Sequence, residues 1–459
     1  VNTDLLFEAL FRLLQISPLY AFLVPFWLLK GKVHLKSQIA QRVDLDMAVL
    51  PYNQDLIDYL NQQKAQGRTL VLATASHMKF AQAMSDHVGI FDEVLATEHK
   101  NMKAHNKAEA LVERFGEKGF CYAGNESVDL EIWRRAASSI VVSSDSQLAI
   151  QADALAPNEW VQTTPSASLG TYIRACRIHQ WVKNILVFIP LFASGKALES
   201  TLVLQCLGAF LAFGFCASSV YLLNDLLDLE ADRQHKSKKL RPFAAGVLPL
   251  AHGIVLLPML LFAAVFIASL LPPAFSIVLL TYYVVTTAYS LFLKKKIVLD
   301  VIVLSGLYTC RIFAGGAATG VPISEWLLAF SMFIFLSLAI LKRYIELIDL
   351  HNIEGKDTAQ GRGYSVGDIE LLASLGGASG YISVLVFALY LNSEIVQSLY
   401  ANSVVLWGVC PLLLYWISRA WILAHRGEMN DDPILFAIKD NTSRLVGVLV
   451  LSLFLLAQL

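Results

Sequence analysis

The sequence predicts a multi-pass, all-α membrane bundle preceded by a soluble α/β domain. Three observations lead there. Of the 459 residues, 56% are apolar and only 16% are charged, against roughly 25% charged in an average soluble chain. The apolar residues are unevenly placed: short runs up to about residue 160, long ones from 180 to 459. Within the first part, short apolar runs alternate with helical patterns, which implies a parallel, doubly wound sheet.

Leu5 to Lys30 is apolar and aromatic but interrupted by Pro18 and Pro25, which argues for packed helices rather than a span. Thr69–Thr74 reads as a buried strand followed by a helix from Met78 to Val88. Further strands are expected at Phe91–Ala96, Gly119–Ala123 and Ile140–Val142, with helices at Asn106–Phe115 and Asp129–Ala137. Gln151 to Leu169 is small and polar, with Pro157 and Pro165, and reads as a linker. The expected domains are therefore 1–150, a linker at 151–170 and a membrane domain at 171–459.

The basic segment Tyr172–Asn184, with Trp181, suits a membrane interface. Nine spans are expected after it, near 184–196, 201–223, 251–271, 274–293, 298–318, 326–345, 371–392, 403–423 and 444–459. Placing the soluble domain in the cytoplasm puts Arg233, Lys236, Lys238, Lys239, Arg241, Lys294, Lys295, Lys296, Lys342, Arg343, Lys356, Arg362, Arg426 and Lys439 in cytoplasmic loops. The opposite loops keep Lys196. That asymmetry predicts the inner (cytoplasmic) membrane of a bacterial-type cell, with the active site facing the cytoplasm. A net charge of −1 without a basic tail gives no reason to expect nucleic acid. The six cysteines fall mostly in apolar runs with no Cys-x-x-Cys pair and read as small core residues.

The chemistry centres on Asn224-Asp225-Leu226-Leu227-Asp228-Leu229-Glu230-Ala231-Asp232-Arg233, at the end of a long apolar run. On one helix, Asp225, Asp228 and Asp232 share a face. Carboxylates so close repel unless a cation joins them, and Mg²⁺ binds through carboxylates and phosphate oxygens. The basic run that follows, Arg233 to Arg241, completes a Mg²⁺–diphosphate pattern. Acidic residues at a membrane boundary are costly and mark sites; the plainer reading is a solvated loop. Arg177, Gln180 and Lys183 precede the first span, Tyr289–Lys294 ends the fourth with Asp300 and Arg311 entering the fifth, and Lys342, Arg343 and Glu346 end the sixth. These could converge on an anionic ligand. Membrane topology alone accounts for Lys295 and Lys296, whereas an intramembrane Arg such as Arg311 marks a site or a buried ion pair.

The membrane half resembles the UbiA superfamily of intramembrane prenyltransferases, on its helix count and N-D-x-x-D-x-x-x-D. Arg177-Ile178-His179-Gln180-Trp181-Val182-Lys183-Asn184 is similar to the R-P-x-Q-W-x-K-N motif of polyprenyl-phosphate phosphoribosyltransferases, with Ile178 in place of Pro. Asp232-Arg233-x-His235-x-x-Lys238-x-x-Arg241-Pro242 and Lys342-Arg343-Tyr344-x-Glu346-Leu347 resemble that branch too. The loop after the sixth span has Glu346, Asp349 and Asp357 but no D-x-x-x-D, unlike the aromatic prenyltransferases. The resemblance implies a reaction at the bilayer: Mg²⁺ on Asn224, Asp225, Asp228 and Asp232 holds the diphosphate of phosphoribosyl pyrophosphate, and a polyprenyl phosphate attacks C1. Lys183, Lys238 and Arg241 are implied to neutralise the leaving group. Arg311, Lys342 and Arg343 are implied to hold the remaining phosphates, with Arg177, Gln180, Lys294 and Glu346 as further substrate contacts. The alternatives are prenyl transfer from a polyprenyl diphosphate to an aromatic acceptor, a lipid transporter or scaffold, and a soluble enzyme with a membrane anchor.

The soluble half resembles the haloacid-dehalogenase-like phosphatases. Thr74 matches the phosphate-binding Thr/Ser, Lys107 the phosphate-pairing Lys, and Gly124-Asn125-Glu126-Ser127-Val128-Asp129 the acidic metal loop, with Asn125 for the usual Asp. The nucleophile motif Asp-x-Asp-Gly-Thr is absent, and Val1-Asn2-Thr3-Asp4 looks like the stretch that normally comes just after that motif. The chain is therefore expected to lack the first strand and the attacking carboxylate, and to be inactive as a phosphatase. In a full-length protein, the domain would be expected to dephosphorylate the membrane product.

Overall fold

The computed structural model describes residues 1–98, 101–164, 166–196, 198–235, 237–351, 363–393, 396, 400–429 and 432–458. Lys236, Lys356, Asp357 and Arg362, on which the sequence reading drew, lie outside them. Contacts divide the chain into two units, Val1–Cys176 with Tyr221–Leu257, and Arg177–Val220 with Pro258–Leu459. The acid-rich decapeptide thus groups with the N-terminal region, which boundaries at 150 and 170 do not anticipate.

In the first unit, α1 (Leu5–Ile16) starts at Asp4, whose Oδ1 accepts from Leu6 N at 2.8 Å. Its Leu5, Ala9 and Leu13 recur every four residues, so they share one face. They pack with Ile39 and Ala40 of α3 (Lys32–Ala40) and with Val43, Met47 and Leu50. Between them lies α2 (Tyr20–Leu29), with Pro25 inside it. Ten residues rise about 15 Å, half of a bilayer core of about 30 Å, so α2 cannot span, as expected.

Then follow α4 (Gln54–Ala65), β1 (Val71–His77), α5 (Met78–Val88), β2 (Glu93–Thr97), α6 (His105–Phe115), β3 (Cys121–Gly124), α7 (Leu130–Trp133) and β4 (Ser138–Ser143). After these come α8 (Ser146–Asp153), β5 (Asn158–Thr163) and α9 (Leu169–Ala175). All the pairings are parallel. The expected single sheet is instead two, β1-β2 and β3-β4-β5. Residues of β1 and β3 line one cavity of about 760 Å³.

The segment expected as a linker, 151–170, contains β5, which pairs with β4. Its half-buried residues alternate as Asn158, Trp160 and Gln162. Trp160 stacks on Tyr59 with centroids 4.8 Å apart, and Gln162 bonds Asn53 and Asp55. The inner face is largely polar, so hydropathy does not betray the strand.

In the second unit, a 3₁₀ segment (Ile178–Phe188) leads into α10 (Ile189–Ala193). The long helices are α11 (Ser200–Leu227) and α13 (Leu250–Ser269), both shared with the first unit, then α14 (Pro273–Leu291), α15 (Leu299–Thr319), α16 (Glu325–Asp349), α17 (Ile369–Leu391), α18 (Val409–His425) and α20 (Asn441–Gln458). The short α12 (Leu229–Gln234) and α19 (Pro433–Lys439) complete the series. Eight described helical segments are long and apolar enough to cross a bilayer, and the chain is a multi-pass membrane protein.

The first expected span, 184–196, is not one. Its thirteen residues would rise about 20 Å even as a full α-helix, and the segment is part 3₁₀, ending in a five-residue helix with Pro190 in its first turn. The core between α15, α16, α17 and α18 includes Tyr308, Ile312, Phe335, Leu338, Leu341, Tyr344, Val384 and Ile417.

Candidate functional site

The acid-rich stretch is not one straight helix. α11 ends at Leu227, Asp228 adopts φ −94°, ψ 19°, and α12 begins at Leu229. The i→i−4 bonds nonetheless continue, Asp228 N to Asn224 O and Asp232 N to Asp228 O, both 2.8 Å. The chain bends at Asp228 without losing its hydrogen bonds. Asp225 (2% exposed) and Asp232 (3%) are buried, whereas Asn224 and Asp228 are half-buried.

Arg241 joins the two buried carboxylates: its Nη1 donates to Asp225 Oδ1 at 3.1 Å and to Asp232 Oδ2 at 2.6 Å. Burial pushes the Asp232 carboxyl above its usual range, and the Arg241 charge opposes that shift.

Among the described residues, no three His, Cys, Asp or Glu side chains form a ready metal cage. The donors present are nonetheless all oxygens, which is what Mg²⁺ takes, and that ion is commonly held by one or two carboxylates together with substrate phosphates. Asn224, Asp225, Asp228 and Asp232 fit an ion that arrives with a diphosphate better than a resident one.

The basic run divides. Arg233 leaves it: Nη2 donates to Glu8 Oε1 at 2.5 Å, Nη1 to Glu8 Oε2 at 3.2 Å and Nε to Ala244 O at 3.0 Å. Lys238, on a 3₁₀ turn with Lys239 and Leu240, is exposed. Arg241 remains beside the acids.

In the second unit the expected cations are in place, but several already have partners. Arg177 opens the motif in a left-handed conformation, φ 50°, and Gln180 is half-buried. Trp181 Nε1 donates to Ser218 Oγ at 2.9 Å, anchoring the 3₁₀ segment on α11. Lys183 is buried in an ion pair with Asp432, and its Nζ lies 5.8 Å from the centre of the Tyr308 ring. Lys342 Nζ lies 3.8 Å from the same carboxylate.

The His179 imidazole is held below its usual value by desolvation and then by Arg177, Lys183 and Lys439. Cations therefore gather around the 3₁₀ segment. Arg311 is 4% exposed and donates to Asn184 Oδ1 (3.0 Å), Leu307 O (2.6 Å) and Tyr282 Oη (3.0 Å). Three neutral acceptors thus help to hold a guanidinium in the bundle. Arg343 is paired with Glu346, and its Nε lies 3.2 Å from Asp300 Oδ2. Tyr364 Oη donates to Asp300 Oδ1 at 2.6 Å. Lys294 is half-buried on a 3₁₀ turn.

Three residues here escaped the sequence reading: Asp432, Tyr364 and Glu8. Each acts on a partner more than sixty residues away, and no local pattern marks it.

In the α/β region, Lys107 Nζ donates to Tyr122 Oη at 2.9 Å, and Tyr122 Oη donates to Asp129 Oδ1 at 3.1 Å. Asp129 Oδ2 accepts from Asn125 N (3.0 Å) and Glu126 N (3.1 Å). Burial lowers the Lys107 ammonium, and the charges of Asp129 and Glu126 resist that shift. Three of the four expected residues are thus linked. Thr74, on β1, instead bonds Ser76 at 3.2 Å.

Comparison with known proteins places these residues in context. The UbiA prenyltransferase family matches residues 185–441, more than half of the chain. The uncharacterized protein y4nM of Sinorhizobium fredii is 36% identical over 469 aligned residues, covering 100% of this chain and 89% of that protein. Nodulation protein NoeC of Azorhizobium caulinodans is 37% identical, covering 64% of this chain and 94% of NoeC. The decaprenyl-phosphate phosphoribosyltransferase of Mycolicibacterium smegmatis is 39% identical over 202 residues, 42% of this chain and 64% of that enzyme. With its helical bundle and acid-rich helix end, the chain belongs to the UbiA prenyltransferase family and is a transferase with decaprenyl-phosphate phosphoribosyltransferases among its homologues.

Proposed function

We propose that the protein transfers 5-phosphoribose from phosphoribosyl pyrophosphate to a polyprenyl phosphate in the membrane, in the presence of Mg²⁺. The observation that carries this reading is the likeness to decaprenyl-phosphate phosphoribosyltransferases, at 39–40% identity over some 200 residues. The Arg177–Asn184 motif and the absence of a D-x-x-x-D after the sixth expected span support it.

Asn224, Asp225, Asp228 and Asp232 would hold Mg²⁺. When bound, the ion would withdraw charge from the leaving diphosphate. Arg241 would orient and neutralise that diphosphate from beside Asp225 and Asp232. Lys183, Lys238, Lys342, Arg311 and Arg343 supply cations for the other phosphates, with Arg177, Gln180, Lys294 and Glu346 as further contacts. A lipid phosphate oxygen attacks C1 of the ribose. The new C1–O bond forms as the bond to diphosphate breaks, so no protein nucleophile is required. The charge that develops on the leaving oxygens makes electrostatic stabilisation the dominant catalytic effect.

The loop cations support a cytoplasmic active site in the inner membrane. On this reading the α/β region, residues 1–150, is a haloacid-dehalogenase-like domain coupled to removal of the 5-phosphate from the tethered product. The parallel strands and the Lys107–Tyr122–Asp129–Asn125 linkage support that part.

The test is to incubate the purified protein with Mg²⁺, labelled phosphoribosyl pyrophosphate and a polyprenyl phosphate. Label should enter the lipid phase and be lost in Asp225→Ala and Asp228→Ala. Label that stays in the aqueous phase, with turnover instead of a polyprenyl diphosphate and an aromatic acid, would overturn the proposal.

A further inference from the structure

The Glu8–Arg233 pair joins residues 225 apart in sequence, with side chains 5% and 6% exposed. Both carboxylate oxygens are engaged by the guanidinium, and Thr3 Oγ1 adds a donor to Glu8 Oε1 at 2.6 Å. A buried two-point Arg–carboxylate contact fixes orientation as well as distance. It has a parallel on the rim: Arg12, one turn after Glu8, lies 3.4 Å from Glu230, three residues before Arg233, with both side chains more than a third exposed. Two residues of α1 thus match two of α12, the inner pair buried and the outer one solvated.

The contact reaches the acidic site by two covalently short routes. Arg233 follows Asp232 directly, and Asp232 is held by Arg241. Arg233 Nε also bonds Ala244 O, three residues past Arg241. The loop after Arg241 is tied down again where Gly246, at φ +69°, lies so close to Asn2 that a Cβ there would sit 2.7 Å from Asn2 O. Asn2 N in turn donates to Pro51 O at 2.8 Å.

We infer that Glu8 is a positioning residue for the transferase. Through Arg233 it sets the angle of α12 and of the loop that bears Arg241, and hence the spacing of Asp225, Asp232 and Arg241 where a diphosphate binds. The N-terminal segment is then part of the transferase machinery, whatever chemistry the α/β region performs. The inference rests on the proposed diphosphate site, and the experiment separates the two.

Binding of inorganic pyrophosphate with Mg²⁺ is measured by calorimetry on the full chain in detergent. Partners that orient metal-site side chains typically contribute 10- to 100-fold, so Glu8→Gln is expected to weaken binding by about that factor. Glu8→Asp should recover part of the loss, as should the exchanged pair Glu8→Arg with Arg233→Glu. Arg12→Ala, on the solvated pair, should bind as the parent does. In parallel, amide hydrogen exchange over residues 229–246 is followed without any ligand, and Glu8→Gln should accelerate it while α15 and α16 keep their protection. Unchanged exchange in Glu8→Gln overturns the inference, as does pyrophosphate affinity equal to the parent's. If the parent itself binds no pyrophosphate, the diphosphate site falls, and the exchange result still decides whether Glu8 positions the loop.

Discussion

Lys183 and Asp432, 249 residues apart, form a buried ion pair with side chains 7% and 9% exposed. The pair closes the segment before α19 onto the 3₁₀ segment. It also gives the Lys of the Arg177–Asn184 motif a carboxylate partner before any substrate arrives. Removing one member of such a pair strands a charge away from water, which typically costs about 3–5 kcal/mol. Asp432→Ala is therefore expected to lower unfolding stability by about that amount at neutral pH, measured by denaturation in detergent. A loss of under about 1 kcal/mol, the range of an exposed pair, would contradict the buried contact.

The same pair predicts a pH dependence. Burial alone would raise the Asp432 carboxyl, but Lys183, Lys342 and the hydrogen bonds outweigh it and hold the group below its usual range. A depressed carboxylate contributes stability that is present above the unfolded value, near 3.9, and lost as pH falls through the lower folded value. The difference between parent and Asp432→Asn should hold constant from neutral pH down to about 5 and shrink only below about 4. A difference that disappears near pH 6 would assign the effect to a histidine instead.

Arg241 bridges Asp225 and Asp232 and predicts how metal and stability are coupled. Arg241→Ala leaves two buried carboxylates near each other without that cation, and loss of a charged hydrogen bond costs about 1.5–3 kcal/mol. Mg²⁺ should stabilise the variant more than the parent, since the ion takes over the charge compensation. Thermal unfolding with and without millimolar Mg²⁺ reads this directly. Equal Mg²⁺ shifts in both proteins would place the ion elsewhere.

The long apolar runs that form α11, α13 to α18 and α20 were legible in the sequence because a bilayer demands about twenty apolar residues in line, and Asp225 stood out because a carboxylate at the end of such a run is costly. The segment 184–196 misled because it has the composition of a span without its length. β5 was missed because Asn158 and Gln162 occupy its half-buried face, so its strand character comes from pairing with β4 rather than from hydropathy. Glu8, Asp432 and Tyr364 are charged or polar residues in unremarkable local settings, and their importance lies in partners brought together only by the fold. The motifs located the cations, but not which of them the protein neutralises internally.

Gly315 shows how closely the 3₁₀ segment approaches α15: a Cβ there would sit 1.9 Å from Val187 O. The obstacle is a backbone carbonyl, so no rotamer change relieves it. Gly315→Ala must push the segment away from α15, disturbing Asn184, whose Oδ1 accepts from Arg311 Nε. Overpacking of this kind costs about 1–3 kcal/mol. Gly306→Ala, on the same helix with nothing within 4 Å of its Cβ, is the control and should be neutral or slightly stabilising. If both variants unfold alike, the close packing of the segment on α15 is refuted.

In the α/β region the prediction concerns Asp129. Its carboxylate accepts from the amides of Asn125 and Glu126 and from Tyr122 Oη, which in turn accepts from Lys107. A carboxylate engaged by three donors from its own surroundings organises the loop. Asp129→Ala should lose the loop order at a cost of about 1–3 kcal/mol. It also removes a charge that raises the Lys107 ammonium, so burial, the first cause of its lowering, should depress it further. NMR titration of the lysine ammonium signals would read that fall, and a Lys107 value left where it was would mean that the Asp129 charge does not act on it.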